Sequence, residues 1–212
     1  MRISNKHTIV LMSDKYNPTP EETMEFRLLY GGPLFSATSN DTRSKHKHDI
    51  RKIFHYQLKY LWNVAANLRE WVNSDENGNI VKTSQLLASR FIFNGISFIP
   101  LSFNGLGIAC KLDVLMLRPD QPGQTLMQSG DIDNRLKTLF DALRIPRDGE
   151  YCDPPENSEN PFFCLFEDDS LVNHLSITTD LLLGASDVNE VRLLITVNIW
   201  PIVHLLSNMG IF

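Results

Sequence analysis

The chain lacks most of the features that mark the large specialised protein classes. Cysteine occurs only three times, at Cys110, Cys152 and Cys164, and never with Cys-x-x-Cys spacing. A disulfide framework is therefore not expected, and a reducing compartment such as the cytosol is the simplest home. No apolar run approaches the length of a membrane span. The run near the N-terminus, Thr8-Ile9-Val10-Leu11-Met12, meets Ser13 and Asp14 before it reaches the length of a signal-peptide core. There is no Gly-x-x-x-x-Gly-Lys-Ser/Thr phosphate loop, no internal repeat and no low-complexity tract. Positive charge is not in excess either: 20 Lys and Arg against 25 Asp and Glu leave a net charge of −5. That argues against broad, sequence-blind adhesion to nucleic acid, while leaving room for a local basic patch.

What is present has the composition of a globular protein. With 212 residues, 42% hydrophobic and 21% charged, the chain is long enough for one domain with a sizeable core. A polar arm over residues 1–24 is expected to precede a single domain over 25–212, which carries an acidic insertion at about 146–168.

Periodicity gives the coarse order of elements. Residues 25–30 read as a short strand stopped by Gly31-Gly32-Pro33. From Lys45 to Asn73 apolar residues recur at helical spacing (Ile50, Ile53, Phe54, Leu58, Leu61, Val64, Ala65, Leu68, Val72), which predicts one long amphipathic helix ended by the turn residues of 74–79. Residues 90–103 read as a strand or hairpin bent near Gly95. Strict alternation over 106–118 puts Leu106, Ile108, Cys110, Leu112, Val114 and Met116 on one strand face. A second helix is expected over 132–144, then an acidic loop, then strands over 171–182 and 190–200. The order β, α, β, β, α, β, β implies an α+β domain, a mixed β-sheet with two main helices packed on it.

The chemistry-bearing segment is Gly130-Asp131-Ile132-Asp133-Asn134-Arg135-Leu136-Lys137 at the head of the second helix. Ile132, Leu136, Leu139, Phe140 and Leu143 form its buried stripe, and Asp133, Lys137 and Asp141 lie on another face. Two carboxylates one residue apart at a helix N-terminus can converge on a point just outside it. Mg²⁺ takes hard oxygen ligands of this kind, usually one or two protein carboxylates. Lys137, one turn on, can donate to a phosphate oxygen as charge develops there. A plainer account exists: Asp is a common helix cap, and Asp133 with Lys137 makes an ordinary i,i+4 pair. A second acidic cluster, Glu167-Asp168-Asp169, stands before the next strand and is by itself an ordinary turn. The combination of both clusters in this order is the informative feature.

The order GDIDNRLKTLFDAL…FEDDSLV resembles the RusA-type Holliday-junction resolvases, small Mg²⁺-dependent endonucleases of phage and prophage origin, over roughly residues 106–200. The resemblance implies a RusA-like mixed sheet and a homodimer that nicks four-way DNA junctions with Mg²⁺, or Mn²⁺ in its place. It makes Asp131, Asp133 and Asp169 the essential metal-binding aspartates, with Asp168 beside them, and Lys137 the catalytic lysine. The chain departs from the family pattern in two respects. Uncharged Gln128-Ser129-Gly130 precedes the first motif aspartate, and the connection to the Asp-Asp pair is long and acidic, with Arg147 its single arginine.

Positive charge is densest at Arg43, Lys45, Lys47, Arg51, Lys52 and Lys59, opposed only by Asp49, with Tyr56 and Tyr60 interleaved. As a function this is a phosphate-backbone footprint for DNA, carried by Lys45, Lys47, Arg51, Lys52 and Lys59; as plain structure it is a solvated helix face. His46 and His48 lack further ligands at metal-site spacing. Two other readings stay open. One is a non-catalytic nucleic-acid- or protein-binding descendant of the fold. The other is a metal-dependent phosphohydrolase of small nucleotides, which the acidic charge favours.

Overall fold

The computed structural model describes residues 8–11, 23–35, 41–119, 130–150, 154–156, 158–185, 187–208 and 210–212. The described elements begin with β1 (Thr8–Leu11), β2 (Met24–Pro33), α1 (Asp41–Val64), α2 (Ala66–Glu70), β3 (Val72–Ser74), β4 (Ile80–Lys82) and α3 (Thr83–Arg90). They continue with β5 (Ile92–Phe93), β6 (Ile96–Ser102), β7 (Ile108–Arg118), α4 (Gly130–Leu143), β8 (Phe162–Phe166), a 3-10 turn (Asp169–Leu171), β9 (Val172–Leu181) and β10 (Glu190–Pro201). The architecture is α+β.

Strict alternation along β7 and β10 sets the centre of the molecule. The two pair antiparallel with Val114 opposite Ile195, and each turns one row inward. Cys110, Leu112, Val114 and Met116 from β7 and Val191, Leu193, Ile195, Val197 and Ile199 from β10 are all buried. β2 joins β10 antiparallel, β9 joins β7 in parallel, and β1 pairs with β9, giving the order β1-β9-β7-β10-β2. Parallel neighbours cannot be joined by a hairpin. The crossover from β7 to β9 carries α4 and β8, and this connection delivers the Asp168–Asp169 pair to the start of β9. α1 and α4 contribute Ile50, Phe54, Leu58, Trp62, Leu136, Leu139 and Leu143 to the core beneath the sheet. Among the described residues no helix is long and apolar enough to cross a membrane.

Four features differ from the sequence reading. β2 runs on through Gly31, Gly32 and Pro33, opposite Arg192, Val191 and Glu190, where a stop was expected. A sheet edge tolerates the missing proline N–H, and the absent Cβ at Gly31 leaves room for the exposed Arg192 guanidinium to lie across the strand. The single helix expected over 45–73 is two, because Ala65 is extended (ψ 114°). The bend lets Trp71 stack on Trp62 at 5.8 Å and donate from Nε1 to the Ser207 carbonyl at 3.0 Å. Ile53, Val64 and Val72, assigned to the apolar stripe, are exposed. The acidic stretch expected to be loop contains β8, which lies parallel to β6 with Phe162 opposite Phe98. Finally, part of the expected N-terminal arm is β1, a strand of the main sheet. The bend near Gly95 is as expected: Asn94 and Gly95 both have positive φ (49° and 77°), the twist a two-residue hairpin needs.

β8 is anchored from α1 by an unexpected group. His55 is fully buried; its Nδ1 accepts from the Phe163 N–H at 2.8 Å and its ring lies 4.3 Å from that of Phe162. Burial pushes its pKa down from 6.5 to about 4, against the opposing pull of the Ser158 carbonyl. The unfolded chain therefore takes up a proton that the folded chain refuses. His55's contribution is complete above pH 6.5 and is lost as pH falls from 6.5 towards about 4. The loss amounts to about 3 kcal/mol. Urea unfolding at about pH 7.5 and about pH 4.5 should show this drop, and the drop should shrink in His55→Gln.

Candidate active site

α4 is held at both ends by buried polar side chains. Towards its start, Arg135 donates to the Leu34 carbonyl at 2.5 Å, and the Thr138 hydroxyl donates to the Phe35 carbonyl at 2.9 Å. These fix the motif helix to the end of β2. Towards its finish, Asp141 is 3% exposed rather than on the solvent face with Asp133 and Lys137, both of which are exposed. It accepts from Lys47 Nζ at 2.5 Å and from Arg144, whose Nε lies 3.1 Å away. Arg144, 1% exposed, also donates to Glu150 at 2.7 Å. Arg51 reaches in from α1, donating to the Asp141 carbonyl at 2.7 Å and lying 3.7 Å from Glu150. Burial pushes the Asp141 carboxyl up, but the Lys47 hydrogen bond and the Arg144 charge outweigh it and hold the group below its ordinary value. Asp141 is thus ionised and structural.

This buried network leads directly to the second cluster. Immediately after Arg144 the Ile145 N–H donates to the Phe166 carbonyl at 3.1 Å, tying the end of α4 to the end of β8. Two residues later Arg147 places Nη2 2.6 Å from Asp168 Oδ2 and 2.8 Å from Asp169 Oδ1. Asp168 also caps the 3-10 turn, its Oδ1 accepting from the Ser170 N–H at 3.0 Å. The Arg147 hydrogen bond, above all, holds the Asp168 carboxyl well below the carboxylate range, and Asp168 in turn raises Arg147. α4 lies against the Asp169–Leu171 turn.

The structure thus joins Asp168 with Asp169, and the motif helix with their turn. It does not join every predicted ligand. Among the described residues no three His, Cys, Asp or Glu side chains are grouped to hold one ion, so Asp133 shares no such group with the pair. Asp131 lies in the first turn of α4, and its side chain is outside the described residues. The donor set at the pair nevertheless suits a hard divalent cation. Two carboxylates, each about one-third exposed, already converge on one positively charged nitrogen, and Mg²⁺ commonly takes only one or two protein carboxylates.

The expected nucleic-acid footprint has a different use. Arg51 is 1% exposed and does not face solvent. Lys47 is paired with Asp141. Lys52 lies 3.4 Å from the buried Glu159, and Lys59 donates to the Ser158 carbonyl at 2.5 Å. The Tyr56 hydroxyl donates to Glu159 at 3.4 Å. Of the five predicted cations only Lys45 is an exposed side chain with no such assignment here. His48 packs on Phe162 and His46 against Phe35, consistent with core and helix-packing roles. Sequence reasoning missed Arg144, and noted Glu150 only as one acid of the insertion and Arg147 only as its lone arginine.

Replacing Arg144 with Met should leave the buried Asp141 and the partly buried Glu150 beside too little positive charge. We expect a loss of about 3–5 kcal/mol, measured by urea denaturation and large against typical domain stabilities. Comparison of the chain with family models, with curated proteins and with solved structures gave no match.

Proposed function

We propose that the chain is a RusA-like, divalent-metal-dependent endonuclease that hydrolyses phosphodiester bonds in branched DNA, working as a homodimer. The observation that carries the reading is the meeting of the two motif segments. The α4 helix bearing Asp131, Asp133 and Lys137 lies against the turn that bears Asp168 and Asp169, and that pair converges on a single cationic nitrogen. The residues proposed to hold Mg²⁺, or Mn²⁺, are Asp131, Asp133 and Asp169, with Asp168 beside them. The chemistry such an ion supplies is a water acidified for attack at phosphorus and charge neutralisation at the departing oxygen.

The chain's own groups have separate duties. The partial positive charge of the α4 N-terminus favours anionic groups beside Asp131 and Asp133. Lys137, exposed one turn further on, donates to a phosphate oxygen as charge accumulates there. The Asp141–Arg144 pair and the Arg135 and Thr138 bonds hold the helix so that these groups keep their direction.

One observation favours a second reading, a non-catalytic binding descendant of the fold. Arg51, Lys47, Lys52 and Lys59 are engaged within the chain, which removes most of the backbone footprint a junction-cleaving enzyme would use.

The two readings separate in one assay series. With Mg²⁺ and a four-way DNA junction, Asp131→Asn, Asp133→Asn and Asp169→Asn should each lower the cleavage rate by about a hundredfold or more. Lys137→Ala should lower kcat by a similar factor with little change in KM, as expected for a group acting on the transition state. Undiminished cleavage by the aspartate variants would sink the nuclease assignment, and absence of cleavage by the wild-type chain would favour the binding descendant.

A further inference from the structure

The Arg147 guanidinium sits between the two carboxylates that the nuclease reading assigns to metal binding. One nitrogen, Nη2, contacts Asp168 Oδ2 at 2.6 Å and Asp169 Oδ1 at 2.8 Å. A positive centre shared by one oxygen from each of two adjacent aspartates is the arrangement a bridging divalent ion would adopt. An ion held between these same two oxygens would need the space that Nη2 occupies, so it and the Arg147 contact exclude each other there.

The surroundings make Arg147 a movable occupant and not a fixed one. Its side chain is 56% exposed, and among the described residues its guanidinium is hydrogen-bonded to the two aspartates alone. Its backbone, by contrast, is well placed. The Arg147 N–H donates to Glu150 Oε2 at 3.1 Å, and Glu150 is itself held by the buried Arg144. Ile145, two residues earlier, is bonded to the end of β8. The base of the side chain is therefore anchored beside the pair while its tip is free to turn outwards to solvent.

We propose that Arg147 is a built-in competitor for the divalent cation. Its guanidinium compensates the Asp168–Asp169 charge, and cation binding at these carboxylates proceeds by exchange with it. The exchange lowers the apparent affinity for the ion. It also leaves the released guanidinium a short reach from the site, directed to an anionic group such as a substrate phosphate. The proposal rests on the metal-dependent nuclease reading and specifies how that site is regulated.

Calorimetric titration of Mn²⁺ into the full chain tests it. Exposed ion pairs of this kind are individually weak, so Arg147→Ala should bind Mn²⁺ about three- to tenfold more tightly than wild type. Arg147→Lys, which keeps the charge but loses the planar fork, should fall between the two. Arg69→Ala, which removes an exposed charge paired with Glu70 on α2, should leave the affinity unchanged and so controls for net charge. In wild type, saturation with Mg²⁺ should shift the Arg147 guanidinium nitrogen resonances towards those of a solvated arginine. Equal or weaker Mn²⁺ binding by Arg147→Ala, with measurable binding by wild type, overturns the competition and leaves the nuclease reading standing. If neither protein binds Mn²⁺, the metal-site reading and the competition fail together.

Discussion

The Arg144 guanidinium is the constraint from which the rest of the site follows. A charge with 1% exposure is tolerable only when its donors are met, and Arg144 meets Asp141 one helical turn behind it, Glu150 ahead of it and the Ile145 carbonyl. Such a network adds little net stability over apolar residues replacing all of its members together, but it dictates geometry because leaving any one member unpaired is costly. The chain after α4 must turn so that Glu150 returns to the helix end. That turn puts Ile145 against β8 and Arg147 against the Asp168–Asp169 pair. Helix packing and the candidate site are one mechanical unit.

The same logic explains what becomes of the basic helix. α1 presents Lys47, Arg51, His55, Lys52 and Lys59 towards α4 and the acidic connection, and each finds a carboxylate or carbonyl there. The basic segment and the acidic insertion are two halves of one interface. Glu159 shows how closely they fit. Burial alone would push its carboxyl up, yet the Glu156 N–H and Lys52 outweigh that and keep it below its ordinary value. A cluster of cations on a helix is therefore not evidence of a nucleic-acid surface until the chain's own acids have been placed.

The parts of the fold legible in the sequence were those governed by apolar periodicity. The rows of β7 and β10 and the stripe Ile132, Leu136, Leu139 and Leu143 are buried as the alternation and helical spacing require. The illegible parts are those where polar groups are buried against other polar groups. Arg51, His55 and Asp141 read as a solvent face because a hydrophobicity pattern counts only apolar residues. β8 was hidden for a different reason. Five residues between a proline and an acidic pair have no periodicity to measure, and their burial comes from parallel pairing with β6, more than sixty positions away in sequence. The break at Ala65 depends on Trp71 finding Trp62 and Ser207, which no local propensity encodes.

The candidate site divides along the same line. That Asp131 and Asp133 form one acidic cluster and Asp168 and Asp169 another is visible in their order and spacing. Which of them meet at one point is not, because like charges placed on different supports take their compensation from whatever lies nearest. Asp133 stands in the first turn of a helix whose N-terminal dipole favours an anion without help from any side chain. Asp168 and Asp169 stand on a turn with no such dipole of useful length, and draw their counter-charge from Arg147, 22 positions before Asp169. The contact that joins the two carboxylates of the pair is made by a single arginine of the insertion.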